Sequence, residues 1–367
     1  MEKVSSQHSA RRLLVAVRVN LLLPITLTES DDPEVSHHNK KTIASHNNIR
    51  QEREWWALDP LHARKNLKAY FEKVAVQCSI TKNSIAELVP KPVLDIGLDA
   101  FCFEMDIFDL LLGRRDGLTP PCRMRVQVGP FVDARYYKAS GEDFFRYFRD
   151  LCAVRQHENV LDVGCGCGQL AVPLTKYLDQ NGKYEGFDIV KSMIEWCVDN
   201  ISSKYPNFRF QLADIFNKQY NPRGKCNASE YKFPFENEFF DFVFVKSVFT
   251  HMLPRDMIDY LSEIVRVLKK TGRCLITYFL MNEESRKLID TRLSSLEFKP
   301  FFKDYWTINK TTPEVAIAYD ERYILRLLKE LGLSVSNPVH YGSWCGRKNF
   351  LSYQDIVIAK KTAMPPF

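Results

Sequence analysis

Gly164, Gly166 and Gly168 stand at alternate positions directly after the apolar, acid-bearing run Val160-Leu161-Asp162-Val163. Glycines strip side chains from a turn, so a ligand can lie there against bare backbone. Gln169-Leu170-Ala171-Val172 continues with helical character, completing a strand, glycine loop and helix. No Gly-Lys-Ser/Thr closes the loop, so it is not a P-loop. Counted from Gly164 it misses the dinucleotide pattern G-x-G-x-x-G, because Gln169 takes the third glycine's place. Counted from Gly166, Ala171 supplies a permitted variant, which keeps a nicotinamide-type dinucleotide site open. Asp188 follows 20 residues beyond Gly168, at the end of a second apolar run. An acid at that strand tip can accept from both ribose hydroxyls of a nucleoside, or cap the helix that opens at Ile189. Its two oxygens allow both.

These residues need a scaffold that brings strand tips together. Strands are expected at 184–188, 208–214, 240–245 and 273–279, with a helix over 254–269 whose Ile258, Leu261, Ile264, Val265 and Leu268 recur at helical spacing. The 240–245 run is apolar enough to be buried on both faces. A helix at 142–151 precedes the first strand, with Phe144, Phe145, Phe148 and Leu151 facing inward. Another at 323–331 stops at Gly332, and strands near 333–341 and 353–359 close the chain. The alternation predicts a doubly wound, mostly parallel α/β sheet. Val93-Leu94-Asp95-Ile96-Gly97 mimics the opening of the glycine-loop strand, but no further glycines follow, and it is read as coincidence.

The glycine loop, the acids at successive strand tips and the β/α order together resemble the class I S-adenosylmethionine (SAM) methyltransferases of small-molecule type, over about residues 129–361. The resemblance implies a seven-stranded Rossmann-like sheet with its last strand antiparallel, preceded by a mainly helical N-terminal extension. It implies SAM as cofactor, held by Asp162, Gly164, Cys165, Gly166, Gly168, Asp188, Ile189, Met193 and Lys246. In that family an acid at the third strand tip usually accepts from the adenine amine while the next N–H reaches a ring nitrogen; here these are Asp214 and Ile215. It also makes Tyr136, Tyr137 and Lys138 candidates for a lid, with surface tyrosines near a turn as the plainer reading.

Methyl transfer from a sulfonium is an in-line displacement that depends mainly on holding nucleophile, methyl carbon and sulfur in line. It requires no metal. A hydroxyl or protonated amine acceptor needs a base, and His251, just past the fourth strand, is the candidate; packing or capping before Leu253-Pro254 is the alternative. Asp320, Glu321 and His340 are weaker candidates. Lys246-Ser247-Val248-Phe249 stands where enzymes that methylate adenine, cytosine or glutamine nitrogens carry Asn/Asp-Pro-Pro-Tyr/Phe, which argues against those substrates. Trp344 either stacks on a planar substrate or closes the core between the last strands. The acceptor is expected to be a small molecule. The alternatives are a SAM-binding pseudo-enzyme acting as a partner module through 51–128, and another Rossmann enzyme with a nucleotide cofactor.

Composition sets looser bounds. The chain has 367 residues, 45% hydrophobic and 26% charged, with a net charge of +6. Its bases are scattered, so nothing asks for nucleic acid. Ten cysteines contain no C-x-x-C; Cys78, Cys152, Cys197 and Cys274 read as core residues of a reduced, cytoplasmic protein. No run offers the roughly 18 uncharged apolar residues of a transmembrane helix. The acid-poor stretch 11–24 bears arginines and fits an organelle presequence, though the reading taken is no targeting. Three regions are expected: 1–50 as a disordered or linker extension, polar over 29–50, 51–128 as a helical cap with a stripe of Leu67, Tyr70, Phe71 and Val74, and 129–361 as the methyltransferase domain.

Overall fold

Strands that read as continuous apolar runs are buried on both faces: 160–163 and 242–245 are buried throughout, whereas the strand over 208–212 alternates. The computed structural model describes residues 91–362 apart from 219, with side chains from Asp95 onward. The expectations for 1–50, for the 60–79 stripe and for Cys78 lie outside the described residues. The chain divides into two compact units, Met1–Leu94 and Asp95–Phe367, and the described side chains all belong to the second.

In chain order the elements begin with α1 (Lys91–Leu111), α2 (Cys122–Arg125), α3 (Ala134–Asp150), β1 (Asn159–Val163) and α4 (Ala171–Leu174). Then come β2 (Lys183–Asp188), α5 (Lys191–Cys197), β3 (Phe208–Leu212), β4 (Phe240–Val245), α6 (Pro254–Val267) and β5 (Leu268–Tyr278). An inserted block holds β6 (Leu280–Met281), α7 (Glu283–Asp290), β7 (Lys299–Phe302), β8 (Tyr305–Thr307) and β9 (Ile317–Asp320). The chain then runs through α8 (Glu321–Glu330), β10 (Leu333–Val335) and β11 (Asp355–Lys361).

The main sheet has the order β10-β11-β5-β4-β1-β2-β3. β1 pairs in parallel with β2 and β4, β2 with β3, and β4 with β5. β11 runs antiparallel to β5, and β10 antiparallel to β11. This is the expected seven-stranded architecture, with order reversing between β1 and β4. Helices cover both faces. On one, Met257, Leu261 and Ile264 of α6 pack on Leu161, Val163, Val243, Val245 and Ile276. On the other, Phe144 and Phe148 of α3 pack on Val160, Phe242, Phe244 and Leu275, the Phe148 and Phe244 rings lying 4.5 Å apart.

Several boundaries differ from the pattern. α3 begins at Ala134, capped by the Asp133 carboxylate on the Arg135 N–H at 2.8 Å, rather than near 142. The obstacle in the sequence is Gly141, mid-helix, whose residue type argues against a helix interior. Its reason is tertiary: a Cβ there would lie 2.7 Å from the Gln169 carbonyl oxygen, so the helix lies directly on the chain leaving the glycine loop. β5 starts at Leu268, where α6 ends, and β3 stops at Leu212. The strand expected over 333–341 is only three residues long.

Nothing in the sequence pattern announces the block between β5 and α8. It forms a second sheet, β6-β9-β8-β7, of strands two to four residues long. Such strands are too short for alternation to show. Its core holds Phe279, Phe298 and Trp344. Trp344 is fully buried and donates Nε1–H to Asp355 Oδ2 at 2.8 Å, so it closes the core rather than facing a ligand.

At the other end, Asp106 of α1 accepts the Cys122 N–H at 2.9 Å. Asp109 bonds Arg125 at 2.8 Å and the Ala134 N–H at 3.2 Å. These bonds fix the segment 122–134 that crosses the glycine loop.

Candidate functional site

An open α/β sheet leaves a crevice beyond the carboxyl ends of its strands where their order reverses. Here the crevice lies at the tips of β1, β2 and β4. The loop after β1 is stitched to β2 by the Gly164 and Cys165 N–H groups, both donating to the Phe187 carbonyl, at 2.9 and 3.0 Å. Gly164 and Gly166 have φ of +80° and +52°, values that L side chains rarely adopt. Their neighbours occupy the space side chains would need: a Cβ on Gly164 would lie 2.3 Å from Val248 Cγ2, and one on Gly166 2.7 Å from Val128 Cγ1. Gly168 has φ of +75° and backs onto Ile201 and Cys197.

Asp188, at the tip of β2, divides its carboxylate between two backbone donors. Oδ2 accepts the Gly166 N–H at 2.8 Å, and Oδ1 accepts that of Val190 at 2.9 Å. Burial pushes its pKa up, against the pull of these donors. The expected cap is therefore an Asx-type bond to Val190, itself the N-cap of α5, rather than a bond into the first helical turn. An ionised carboxylate has about four acceptor sites, so capacity for ribose hydroxyls remains.

Asp162 lies within the sheet, 1% exposed, and accepts the Tyr184 hydroxyl at 2.6 Å. Burial pushes its pKa up to about 8 despite that bond. It braces the loop from beneath. Cys165 is buried, and its N–H is one of the two that donate to the Phe187 carbonyl. Met193 is 2% exposed, its sulfur 4.0 Å from where a Gly166 Cβ would be. Past the tips of β2 and β3, Ile189, Lys191, Leu212, Asp214 and Tyr220 line an open cavity of about 480 Å³. The Asp214 carboxylate is exposed there, 3.8 Å from Lys225 Nζ. Ile215 is buried, and its N–H donates to the Ala213 carbonyl at 2.8 Å.

Lys246 follows β4. Its ammonium donates to Gln169 Oε1 at 2.7 Å and lies over the rings of Phe144 and Phe131, at 5.2 and 5.6 Å. Burial lowers its pKa to about 8, the Asp162 charge acting against that. No carboxylate lies within ion-pair distance of it among the described residues.

His251 ends the 3₁₀ turn Phe249–His251. Its Nδ1 is 2.9 Å from the Glu314 carbonyl. A carbonyl only accepts, so Nδ1 carries the proton and Nε2 the lone pair of the neutral ring. The ring meets Tyr220 edge-on at 6.2 Å, which places it beside the cavity.

Other candidates are not brought there. Tyr137 is 2% exposed, and its hydroxyl donates to the Cys167 carbonyl at 3.0 Å. It is a pin on the loop rather than a lid. Lys138 pairs with Asp116 at 2.8 Å. Asp320 caps α8 and pairs with Arg286. Glu321 accepts from Asn282 and Tyr341. Sequence reasoning missed Gln169, whose amide joins Lys246 to the Tyr137 carbonyl. It also missed Ser247, Thr277 and Gln354. Nothing in local pattern marks these, because their bonds link distant strands.

Residues 155–330 match the family model described as a methyltransferase domain. Among solved structures, the chain is similar to a SAM-dependent methyltransferase from Aquifex aeolicus, at 18% identity over 68% of this chain and 100% of that one, with a TM-score of 0.41. It is similar to 1,6-didemethyltoxoflavin-N1-methyltransferase from Burkholderia thailandensis, which was solved with 1,6-didemethyltoxoflavin and S-adenosylhomocysteine. There the identity is 16%, over 62% of this chain and 90% of that one, with a TM-score of 0.37.

Proposed function

The chain carries, over residues 155–330, a methyltransferase domain of the class I, SAM-dependent family, and we propose that it moves the methyl group of SAM onto a small-molecule acceptor. The observation that carries the placement of SAM is the Asp188 carboxylate bonded to the Gly166 N–H. That bond brings the ribose-binding acid and the bare glycine backbone to one point. The nucleoside then lies with its ribose on Asp188 and its adenine in the cavity between Ile189, Leu212 and Asp214. The methionine end is directed along the loop toward Lys246, which offers its carboxylate a counter-charge. The catalytic domain is assigned to 129–361, with 51–128 as an extension whose Val128 lies against Gly166.

Catalysis here is positioning in a partly dry site, with a base where the acceptor carries a proton. His251 is our candidate for that base, its ring held by Nδ1 on the Glu314 carbonyl. His251→Asn is expected to leave S-adenosylhomocysteine affinity intact while lowering turnover of a hydroxyl acceptor by about 10²–10⁴. Equal turnover by the two proteins across pH would remove His251 from the chemistry.

Among the described residues no helix is long and apolar enough to cross a membrane, and the nine described cysteines are free thiols. The free thiols support our placement of the protein in the cytoplasm, where thiols stay reduced.

The direct test is thermal stabilisation of the purified chain by SAM, S-adenosylhomocysteine and NAD. Stabilisation by the first two alone is expected; stabilisation by NAD alone would replace this reading with a dehydrogenase one.

Lys246 adds a pH test. In the ligand-free protein its pKa is lowered to about 8 by burial, and a bound carboxylate favours its charged form. The complex therefore holds more protons than the free protein above pH 8, so affinity falls as pH rises through that value. The α-amino group of the ligand titrates in the same range, which makes Lys246→Met the control. The variant should bind S-adenosylhomocysteine about tenfold more weakly at pH 7, on the order of 1.4 kcal/mol, with a shallower pH dependence. An unchanged slope would place the carboxylate elsewhere.

A further inference from the structure

Ser247 follows Lys246 at the tip of β4 with φ of +60°, in the left-handed region that a non-glycine residue occupies only when its surroundings hold it there. Three hydrogen bonds do so. The Ser247 N–H donates to Thr277 Oγ1 at 2.8 Å. The Thr277 hydroxyl, thus accepting through one lone pair, donates its own proton to Gln354 Oε1 at 2.6 Å. The Ser247 hydroxyl donates to the same Oε1 at 3.0 Å. One amide oxygen, just before β11, therefore gathers the tips of β4 and β5.

The turn this enforces has consequences on both sides of Ser247. Before it, Lys246 is directed at Gln169 and the Phe144 ring of α3. After it, Val248 occupies the space above Gly164, and the 3₁₀ turn carrying His251 begins. A Ser247 relaxed to negative φ would redirect the chain and take Val248 off the glycine loop.

We propose that Gln354, acting through Thr277 and Ser247, is a positioning residue that holds the β4 tip in its left-handed turn and so sets the methionine end of the SAM site. The inference rests on the cofactor reading above, and it assigns Gln354 no contact with ligand. Losing the clamp leaves the competent tip as a minor conformer, and apparent affinity falls by that fraction. The penalty for a left-handed L residue corresponds to roughly tenfold. Glycine adopts positive φ without that penalty, so it restores the turn with no clamp.

The test is calorimetric titration of the full chain with S-adenosylhomocysteine. Gln354→Leu should weaken binding about tenfold, and Ser247→Gly in the same chain should return it to within about threefold of wild type. Where Gln354→Leu does not fold, Thr277→Val gives the same comparison, because it keeps the buried volume and removes the hydroxyl. Wild-type affinity in the single variant overturns the clamp. So does a double variant as weak as the single one, which would mean that Gln354 touches the ligand directly. A wild-type chain that does not bind S-adenosylhomocysteine refutes the cofactor reading instead, a result distinct from either.

Discussion

Asp355→Ala should lower the stability of the protein by about 3–5 kcal/mol, the cost of leaving a buried charge without its partner. Asp355 has no exposed surface and is the hub that joins the second sheet to the first. Oδ2 accepts the Leu280 N–H at 2.7 Å and Trp344 Nε1–H at 2.8 Å. Oδ1 accepts the Gly342 N–H at 2.6 Å and Arg347 Nη1 at 3.2 Å. Burial pushes its pKa up to about 6 against these donors. Alanine would strand the Leu280, Gly342 and Trp344 donors, while Arg347 Nη1 would keep the Gly342 carbonyl and Arg347 only the exposed Glu284 as an ionic partner. For a domain of this size the melting temperature should drop by roughly 10 °C or more. Thermal and urea unfolding read this directly; a loss under about 1 kcal/mol would mean that water replaces the carboxylate at little cost.

Asp188→Ala should weaken S-adenosylhomocysteine binding about a hundredfold, roughly 2.7 kcal/mol. Hydrogen bonds from a charged acceptor to ribose hydroxyls are each worth about 1.5–3 kcal/mol, and the loop loses the acceptor for the Gly166 N–H as well. The conservative change is informative. From sequence, Asp188→Asn would be mild if the residue only caps a helix. In the structure each oxygen faces a backbone donor, so an amide must turn its NH₂ toward one N–H. Asp188→Asn is therefore expected to reduce both affinity and thermal stability. Calorimetry and melting curves that both match wild type would mean that the carboxylate neither holds the loop nor touches the ribose.

The residues themselves determined the order of the main-sheet strands and the helices between them, the glycine loop, and Asp188 at the tip of β2. All of these are local: a turn needs its glycines within a few positions, and a buried strand announces itself as an apolar run. The spacing from Gly168 to Asp188 needs only one helix and one adjacent parallel strand. The family resemblance stood on the same local features, and the seven-stranded order followed from it.

What the tertiary structure alone decided lies in contacts between distant segments. Ser247 meets Thr277 across 30 residues and Gln354 across 107, and no periodicity encodes such a pairing. Trp344 was open to two readings until Asp355 took its N–H. Tyr137 had the residue type of a lid, yet its hydroxyl bonds the Cys167 carbonyl 30 positions away. Gly141 argued against a helix until the Gln169 carbonyl filled the place of its side chain. Local sequence restricts which conformations each segment can adopt, but a left-handed serine or a buried carboxylate is stable only where another part of the chain supplies its partners.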